Sequence, residues 1–313
     1  MSATIIKTKD RQEWLQLRGQ GIGSSEVATI VGLNPWETPY QLWRRKKGLD
    51  APKQETFAMR AGHILEDAVA RFYQEESGRE VIKSSAGDWL AVDDERPYLR
   101  VSPDRTFFID GHSNKKENKG ILECKTTQMT IDGDDLPKHW FCQLQYQLGV
   151  AGYEHGALAW LTGGRAFDYR NIDLVPDFFA WLVEEVERFW TDNIEGNQEP
   201  EPLNVADTVL KYARHTDGKV VECTAEMIDV IDKLREVKQQ IKTLDDTKTQ
   251  LEDAVKVFFA DAEALTVEGN TVATWKAPKA SMQFDAKAFK AAHPDMAAQF
   301  TKQVQGARRL LIK

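Results

Sequence analysis

Apolar residues that recur every three or four positions predict the helices of this chain. The clearest run lies between residues 60 and 77, at Ile64, Leu65, Ala68, Val69, Phe72 and Tyr73. This period puts them on one face of an α-helix, and Gly78 after it is a residue type that commonly ends helices. Weaker runs predict helices over residues 26–31, 39–47, 138–151 and 176–194. We expect Ser24 or Ser25 to cap the first of these and Thr38 to start the second.

Short runs of β-favouring residues separate these helices. They lie at residues 89–92, 98–102, 106–110, 121–126, 156–161 and 167–174, and turn residues bound each of them. The elements alternate along the chain as a helix, a group of strands, a second helix and further strands. This order is typical of a mixed sheet with helices packed on it. The pattern therefore predicts an α/β domain over residues 1–195.

The pattern changes after residues 196–202, a GNQEPEP segment that we expect to be a linker. Beyond it, ten positions follow alternating steps of three and four, which predicts one long helix with a heptad repeat. We call these positions the heptad stripe: Met227, Val230, Leu234, Val237, Ile241, Leu244, Lys248, Leu251, Val255 and Phe258. A hairpin around residues 269–270, a short helix at 286–292 and a strand at 309–312 complete a module over 203–313. We expect the hairpin and this last strand to cover the stripe in part.

Composition narrows the class of protein. No apolar run is long enough to span a membrane, and the first ten residues lack the apolar core of a signal peptide, so we expect a cytoplasmic protein. The three cysteines are isolated from one another, which argues against a disulfide framework, a structural zinc or an iron–sulfur cluster. The net charge is −8; residues 1–202 hold 24 Lys and Arg against 33 Asp and Glu, while residues 203–313 hold 17 and 16. Charge alone does not suggest a nucleic-acid partner.

Candidate chemistry centres on Asp104, Glu123 and Lys125. In a strand, Glu123 and Lys125 share one face while Leu122 and Cys124 point to the other. Asp104 follows the turn-forming pair Ser102-Pro103 and can approach the same face. Two carboxylates suit Mg²⁺, and a lysine beside them can orient a water or stabilise negative charge on a phosphate. The alternative is a surface salt bridge between Glu123 and Lys125 next to an ordinary turn.

Two further helices carry polar residues that can join this site. Glu66 lies at the edge of the apolar face of the 60–77 helix, where it can reach a metal or remain a solvated glutamate. Gln143 and Gln147 lie four residues apart on the 138–151 helix and so share a face. Gln143 can lie beside the lysine and the attacking water, or both can belong to a polar helix surface.

A glycine-flanked loop at residues 19–25 offers a phosphate site. Its Ser24 and Ser25 lead into a helix, where backbone N–H groups can meet an anion. Arg18 could add a bidentate clamp on the phosphate. The alternative is a helix cap with a surface arginine nearby.

Taken together, these motifs resemble the YqaJ-type viral recombinases of the phage lambda-exonuclease family, within the PD-(D/E)xK nuclease superfamily. The resemblance rests on five motifs in the family's order: WLQLRGQGIGSSEV with NPWETPYQLW (14–27 and 34–43), GHILED (62–67), SPD (102–104), LECK (122–125) and CQLQYQ (142–147). It implies a restriction-endonuclease-like core, a mixed sheet flanked by helices, whereas the long helix and hairpin of the tail are predicted from the apolar pattern alone.

The resemblance also implies roles for individual residues. Asp104, Glu123 and the Cys124 carbonyl would hold metal, Glu66 would assist through a second ion or its water, and Lys125 and Gln143 would position the attacking water. Arg18, Ser25 and Ser102 would match the pocket that binds a terminal 5′-phosphate, with Ser24 beside them. The phage lambda enzyme has a further arginine in this pocket shortly after its ExK motif, whereas residues 126–135 here contain no basic residue.

The activity so implied is a Mg²⁺-dependent 5′-to-3′ exonuclease that acts on double-stranded DNA ends and leaves 3′ single-stranded tails for recombination. Two ions would bind, and Mn²⁺ would substitute for Mg²⁺. A trimeric ring and a single-strand annealing protein would be its partners. Two alternatives stay open: a structure- or sequence-specific endonuclease with the same core, and a non-catalytic protein that binds DNA ends for assembly. No GxxxxGK[ST] motif is present, so the chain does not encode a P-loop motor.

Overall fold

The computed structural model describes residues 2–50, 56–82, 89–111, 115–131, 135–302 and 306–312. It divides into two compact units, Met1–Lys211 and Tyr212–Lys313. The second unit thus begins later than the expected start at residue 203.

The first unit contains both helices and strands. Its helices are α1 (Arg11–Gly19), α2 (Ser24–Ile30), α3 (Pro39–Lys46), α4 (Phe57–Ser77), α5 (Lys138–Ala151), α6 (Pro176–Arg188) and α7 (Val205–Lys211). A 3₁₀ turn spans Lys116–Asn118, and a π-helix, Phe189–Glu195, continues α6. Its strands are β1 (Ala3–Lys7), β2 (Ile22–Gly23), β3 (Val81–Ile82), β4 (Trp89–Asp93), β5 (Leu99–Val101), β6 (Arg105–Phe108), β7 (Lys119–Thr127), β8 (His155–Thr162) and β9 (Ala166–Asp173).

Among the described residues these strands form two mixed sheets instead of the single sheet expected. One has the order β1-β4-β5-β2 and is antiparallel except where β2 pairs with β5. The other has the order β3-β6-β7-β8-β9 and is antiparallel except where β7 pairs with β8. The predicted mixed α/β architecture is confirmed. The division falls between β5 and β6, which belong to different sheets, and β1, which the apolar pattern did not predict, is an edge strand of the first sheet.

Strand β7 is buried on both faces, and this burial determines where its polar side chains point. Leu122 and Cys124 pack with Val69 of α4 in one apolar cluster. Ile121, from the opposite face, packs with Leu144 of α5 in the other cluster. Alternation along the strand places Glu123 and Lys125 on one face, as the sequence predicted, and the structure turns that face away from α4 and towards α5.

Local signals explain where the helices begin and end. Thr56 caps α4 by accepting a hydrogen bond from the Met59 N–H, and Gly78 ends it with φ of 69°. Helix α2 differs from expectation, because its N-cap is Gly23 and both Ser24 and Ser25 lie inside its first turn. The serine cap was therefore wrong. The backbone N–H of Gly23 instead donates to the Glu26 carboxylate at 2.9 Å.

Helix α7 belongs to the first unit because it carries a buried acid. Asp207 is fully buried and accepts hydrogen bonds from the Thr38 hydroxyl at 3.0 Å and the Gln41 amide at 2.9 Å. It also accepts from the backbone N–H of Leu203 at 3.1 Å. Removing a buried acceptor would leave these donors unpaired, so residues 203–211 are part of the first unit's structure.

The second unit contains α8 (Ala225–Phe259), a hairpin of β10 (Ala264–Val267) and β11 (Asn270–Thr274), α9 (Ala286–Ala292) and α10 (Pro294–Gln299). The long helix, the hairpin and the 286–292 helix are confirmed. The strand expected at 309–312 is wrong for the described residues, because residues 306–312 are irregular. The expected cover over the heptad stripe is wrong too: seven of its apolar residues are 44–67% exposed and Phe258 is 77% exposed. The hairpin instead contacts the end of α8, where Trp275 packs on Phe259.

A search of the described residues finds no helix with the length and apolar character needed to cross a bilayer.

Candidate active site

A cavity of about 580 Å³ gathers every site residue that the sequence predicted. Its walls come from α1, α2, α4, α5, β7 and the turn between β5 and β6. The predicted residues that line it are Arg18, Ser24, Ser25, Glu66, Ser102, Asp104, Glu123, Cys124, Lys125 and Gln143. Residues as far apart in the chain as Arg18 and Gln143 thus share one solvent-accessible space.

Glu123, Lys125 and Gln143 form a closed hydrogen-bonded triangle. The Lys125 ammonium donates to Glu123 Oε1 at 2.6 Å and to Gln143 Oε1 at 2.9 Å, and Gln143 Nε2 donates to Glu123 Oε1 at 2.5 Å. Glu123 is only 2% exposed, so the pair is not the surface salt bridge considered as an alternative. Burial lowers the pKa of Lys125, but the charges of Glu123 and Asp104 outweigh it and the net pKa is raised. The ammonium therefore stays protonated at neutral pH.

Asp104 approaches this triangle from the turn that leads into β6. Its Oδ2 accepts a hydrogen bond from the Cys124 backbone N–H at 2.8 Å, which ties the turn to β7. Burial, and then the negative charges of Glu123 and Glu66, raise the pKa of Asp104 well above its usual range. Three carboxylates are therefore close enough to repel one another, and a bound cation would relieve that repulsion.

Glu66 reaches the cavity from α4, but it is paired with a cation that the sequence did not single out. Arg105 donates to Glu66 Oε1 at 2.5 Å and to Asp67 Oδ1 at 2.5 Å. Burial raises the pKa of Glu66 even though Arg105 opposes the shift. The only sequence signal that could have singled out Arg105 is its position directly after Asp104, at the start of a strand.

Among the residues that the structure describes, no three His, Cys, Asp or Glu side chains stand grouped as a ready metal site. Glu66 and Glu123 are instead turned to Arg105 and Lys125. The donors nevertheless fit a hard divalent cation by their chemistry, since Asp104, Glu123 and Glu66 offer carboxylate oxygens and Cys124 offers a backbone carbonyl.

Gln147 joins the site although its role was left open between a polar surface and function. It is fully buried, and its Nε2 donates to Glu123 Oε2 at 2.8 Å and to Ser24 Oγ at 3.2 Å. Its own Oε1 is buried without a hydrogen-bond partner. Glu123 is thus bound on one oxygen by Lys125 and Gln143 and on the other by Gln147, which fixes the carboxylate plane.

The residues that the sequence predicted to bind a phosphate line the same cavity. Arg18 donates to the exposed Ser25 hydroxyl at 2.5 Å, whereas the buried Ser24 faces Gln147. Both serines line the cavity, but only Ser25 is exposed, and the hydroxyl of Ser24 is engaged by Gln147. The Ser102 hydroxyl lines the cavity, but it donates to the Trp89 carbonyl at 2.6 Å.

The side chains of Arg11 and Arg18 make cation–π contacts with the ring of Trp14 beside this cavity. The guanidinium of Arg11 lies 3.9 Å from its ring centroid and that of Arg18 lies 4.8 Å from it, and both arginines line the cavity. The indole N–H of Trp14 donates to Ser102 Oγ at 3.2 Å. Burial lowers the pKa of Arg18, and the nearby charge of Arg11 lowers it further against the opposing pull of Glu26. Two like charges held this close make the pocket attractive to an anion.

A buried ion cluster holds the loop that presents Arg18 and Ser25. Glu26 pairs with Lys46 at 2.8 Å and with Arg45 at 3.0 Å, in addition to its bond from Gly23. Burial alone would raise the pKa of Glu26, yet Lys46 and Arg45 lower it below its usual value. The acid is therefore ionised and fastens α2 to α3.

The chain matches one family model and a curated relative. Residues 13–154 match the YqaJ-like viral recombinase domain. The uncharacterized protein YqaJ of Bacillus subtilis strain 168 is 31% identical over 309 residues, which cover 95% of this chain and 93% of that protein.

Two solved structures are also similar at low identity. The alkaline exonuclease LHK-Exo of Laribacter hongkongensis, in complex with dAMP, gives a TM-score of 0.46 at 16% identity and covers 59% of this chain and 93% of its own. A phage-related exonuclease of Haemophilus somnus gives 0.40 at 9% identity and covers 57% of this chain and 96% of its own. Because the match to the Bacillus protein extends over nearly the whole length of both chains, this chain belongs to the YqaJ-like viral recombinase family.

Proposed function

We propose that the protein is a Mg²⁺-dependent 5′-to-3′ exonuclease that degrades one strand of double-stranded DNA from its ends and leaves 3′ single-stranded tails. The observation that carries this proposal is the meeting of Asp104, Glu123 and Lys125 in a cavity that Arg18 and Ser25 also line. A hydrolytic group and an anion site within one cavity suit a substrate that presents a phosphodiester bond close to a terminal phosphate.

Asp104, Glu123, Glu66 and the Cys124 carbonyl would hold the metal, as two Mg²⁺ ions or as Mn²⁺ in their place. Bound there, the metal would neutralise phosphate charge and lower the pKa of a water ligand. Glu66 must leave Arg105 to bind metal, and Arg105 keeps a second acidic partner in Asp67.

Lys125 and Gln143 act on the attacking water. The lysine is protonated and fixed by two acceptors, so it can donate to the water or to the developing negative charge on phosphate. The Gln143 carbonyl oxygen already accepts from Lys125 and remains able to accept from a water. Gln147 holds Glu123 from behind and contributes through that carboxylate.

Arg18, Ser25 and Ser102 would bind the terminal 5′-phosphate. Arg11 supplies the second cation that residues 126–135 lack, because it stacks on the same Trp14 ring and lines the same cavity. Ser24 is excluded from direct contact in this proposal, since it is buried against Gln147.

Membership in this family leads us to propose a cellular location, an oligomeric state and a protein partner as well. The protein would act on DNA ends in the cytoplasm of a bacterial or phage-infected cell. It would assemble into a ring, as a trimer, and pass its 3′ tails to a single-strand annealing protein.

Digestion of three substrates tests the proposal: linear duplex with 5′-phosphate ends, the same duplex with 5′-hydroxyl ends, and covalently closed circular DNA. We expect Mg²⁺-dependent cleavage to be fastest on the duplex with 5′-phosphate ends and slower on the duplex with 5′-hydroxyl ends, while the circular DNA stays intact. Arg18→Gln and Arg11→Gln should each reduce the preference for 5′-phosphate, while Arg44→Gln, a change on α3 at a residue paired with Asp50, serves as the matched control. Cleavage of the circle would instead support the endonuclease alternative, and no cleavage of any substrate would support the non-catalytic one.

A further inference from the structure

We infer that α8 pairs with the α8 helix of a second copy of this chain, in antiparallel orientation, along the heptad stripe. The inference concerns a surface of the second unit that takes no part in the proposed chemistry, and it does not depend on the nuclease activity.

The stripe is continuous, long and exposed. It runs from Met227 to Phe258 within a 35-residue helix, a length of roughly 47 Å at 1.5 Å per residue. Nine of its ten positions are apolar. Central members are among the most exposed, with Ile241 at 54%, Leu244 at 67% and Leu251 at 64%. An exposed apolar row of this length is typical of a surface that another helix covers.

The charges beside the stripe oppose parallel pairing. Taking Met227 as heptad position a, Lys233 is a g residue and Lys238 is the following e residue. In a parallel coiled coil, each g residue faces the e residue of the next heptad on the partner. Both copies would then place Lys233 against Lys238, which is repulsive in a parallel dimer and equally in a parallel trimer.

Antiparallel pairing removes this conflict and adds an attraction. When Ile241 faces Leu244 of the second copy, every a position of the stripe faces a d position. The e residues then face one another, so Lys238 comes opposite Asp245 of the second copy. Two-fold symmetry makes this pair twice, and both side chains are exposed on the helix as required.

Lys248 is compatible with the same register. It is the one polar residue of the stripe and faces Val237 of the second copy, in the layer next to the two central Ile241–Leu244 layers. Its side chain is 68% exposed and its ammonium lies 3.7 Å from Glu252, so it can keep this partner while its stem covers Val237. A single lysine at an a position also limits the stripe to small assemblies.

Sedimentation equilibrium of the full-length protein tests the pairing through a charge reversal. Lys238→Glu should raise the dissociation constant about tenfold or more, because two attractive pairs become repulsive. Adding Asp245→Lys should restore association. Asp246→Lys, the adjacent residue on the outer face of the helix, is the matched control and should change nothing. Leu244→Lys should halve the mass of the assembly whatever contacts the first unit makes.

The single reversal also distinguishes the two orientations. Lys238→Glu places a glutamate four residues before Lys242, which favours the isolated helix, so weaker association cannot be ascribed to a lost helix. Circular dichroism of each variant verifies this. Tighter association of Lys238→Glu would show parallel pairing and overturn the inference. A mass unchanged by Leu244→Lys would show that the stripe does not pair with a second copy, and this too would overturn it.

Discussion

Replacing Gln147 with leucine should separate catalysis from stability in the proposed active site. The substitution removes the hydrogen bond that Gln147 donates to Glu123 Oε2 at 2.8 Å and the longer one to Ser24. It also removes the Oε1 atom that is buried without a partner. Leucine fills a similar volume, so a large cavity is not created.

The two energetic consequences oppose each other. Loss of a hydrogen bond to a buried carboxylate costs about 1.5–3 kcal/mol, whereas removal of an unsatisfied buried oxygen recovers about 1–3 kcal/mol. The free energy of unfolding should therefore change by only about 1 kcal/mol in either direction. Catalysis has no such compensation, because Glu123 loses the group that fixes its second oxygen. Loss of a supporting hydrogen bond behind a metal ligand typically lowers activity about 10–100-fold.

Gln145 provides the matched control on the same helix. It is equally buried, but its Nε2 donates to the Asp173 carbonyl and its Oε1 accepts from the Val175 N–H, both away from the cavity. Gln145→Leu should therefore lower the free energy of unfolding by about 1–3 kcal/mol and leave kcat unchanged once the protein is folded. Urea unfolding and steady-state cleavage of a linear duplex, measured on both variants, give the comparison.

Gln147 does not support catalysis through Glu123 if its leucine variant keeps full kcat, or if the variant loses several kcal/mol of stability with kcat intact. The first result would mean that Lys125 and Gln143 alone orient Glu123. The second would mean that the glutamine is a structural residue like Gln145.

Four further predictions address a metal ligand, the lysine of the site, the cysteines and the domain boundary. Asp104→Asn should abolish Mg²⁺-dependent cleavage because it removes a metal ligand, and it should leave the circular dichroism spectrum unchanged because it also relieves carboxylate repulsion. Lys125→Ala should lose cleavage but still bind duplex ends in a mobility-shift assay, since the lysine acts on the reaction and not on the duplex. Burial raises the pKa of Cys142 to about 11, so only about one thiol in a thousand is ionised at pH 8, and iodoacetamide should modify the exposed Cys223 well before it; raising the pH towards 11 should increase labelling of Cys142 beyond the change seen at Cys223. A chain that ends after Lys211 should stay folded and active, whereas one that ends after residue 202 lacks Asp207 and should unfold at a lower temperature; equal melting temperatures would show that α7 contributes nothing.

Much of the first unit could be predicted from the sequence because its signals are local. The apolar period and the glycine that ends it defined the helix that contains Glu66. Strict alternation in β7 placed Glu123 and Lys125 on one face, and spacing by four placed Gln143 and Gln147 on another shared face. Each of these inferences needs only the geometry of one element.

What escaped prediction depends on contacts between distant segments. Strand β1 gave no clear apolar pattern because it lies at the edge of its sheet, with two of its residues partly buried and the rest exposed. Arg105 acquires its importance only when α4 brings Glu66 beside it. The division between Ser24 and Ser25 became visible only once α5 had placed Gln147 behind one of them. Residues 306–312 are irregular although some of them favour β-structure, because no neighbouring strand pairs with them in the described part of the chain.

Release of 5′-mononucleotides from a linear duplex with 5′-phosphate ends tests the proposed nuclease site most directly. Wild-type protein and Asp104→Asn would be compared in Mg²⁺ and in excess EDTA, with products resolved by chromatography. We predict progressive release by the wild type in Mg²⁺, none in EDTA, and none by Asp104→Asn under either condition. Absence of release by folded wild-type protein in both Mg²⁺ and Mn²⁺, or equal release by Asp104→Asn, would contradict the assignment of this cavity as a metal-dependent exonuclease site.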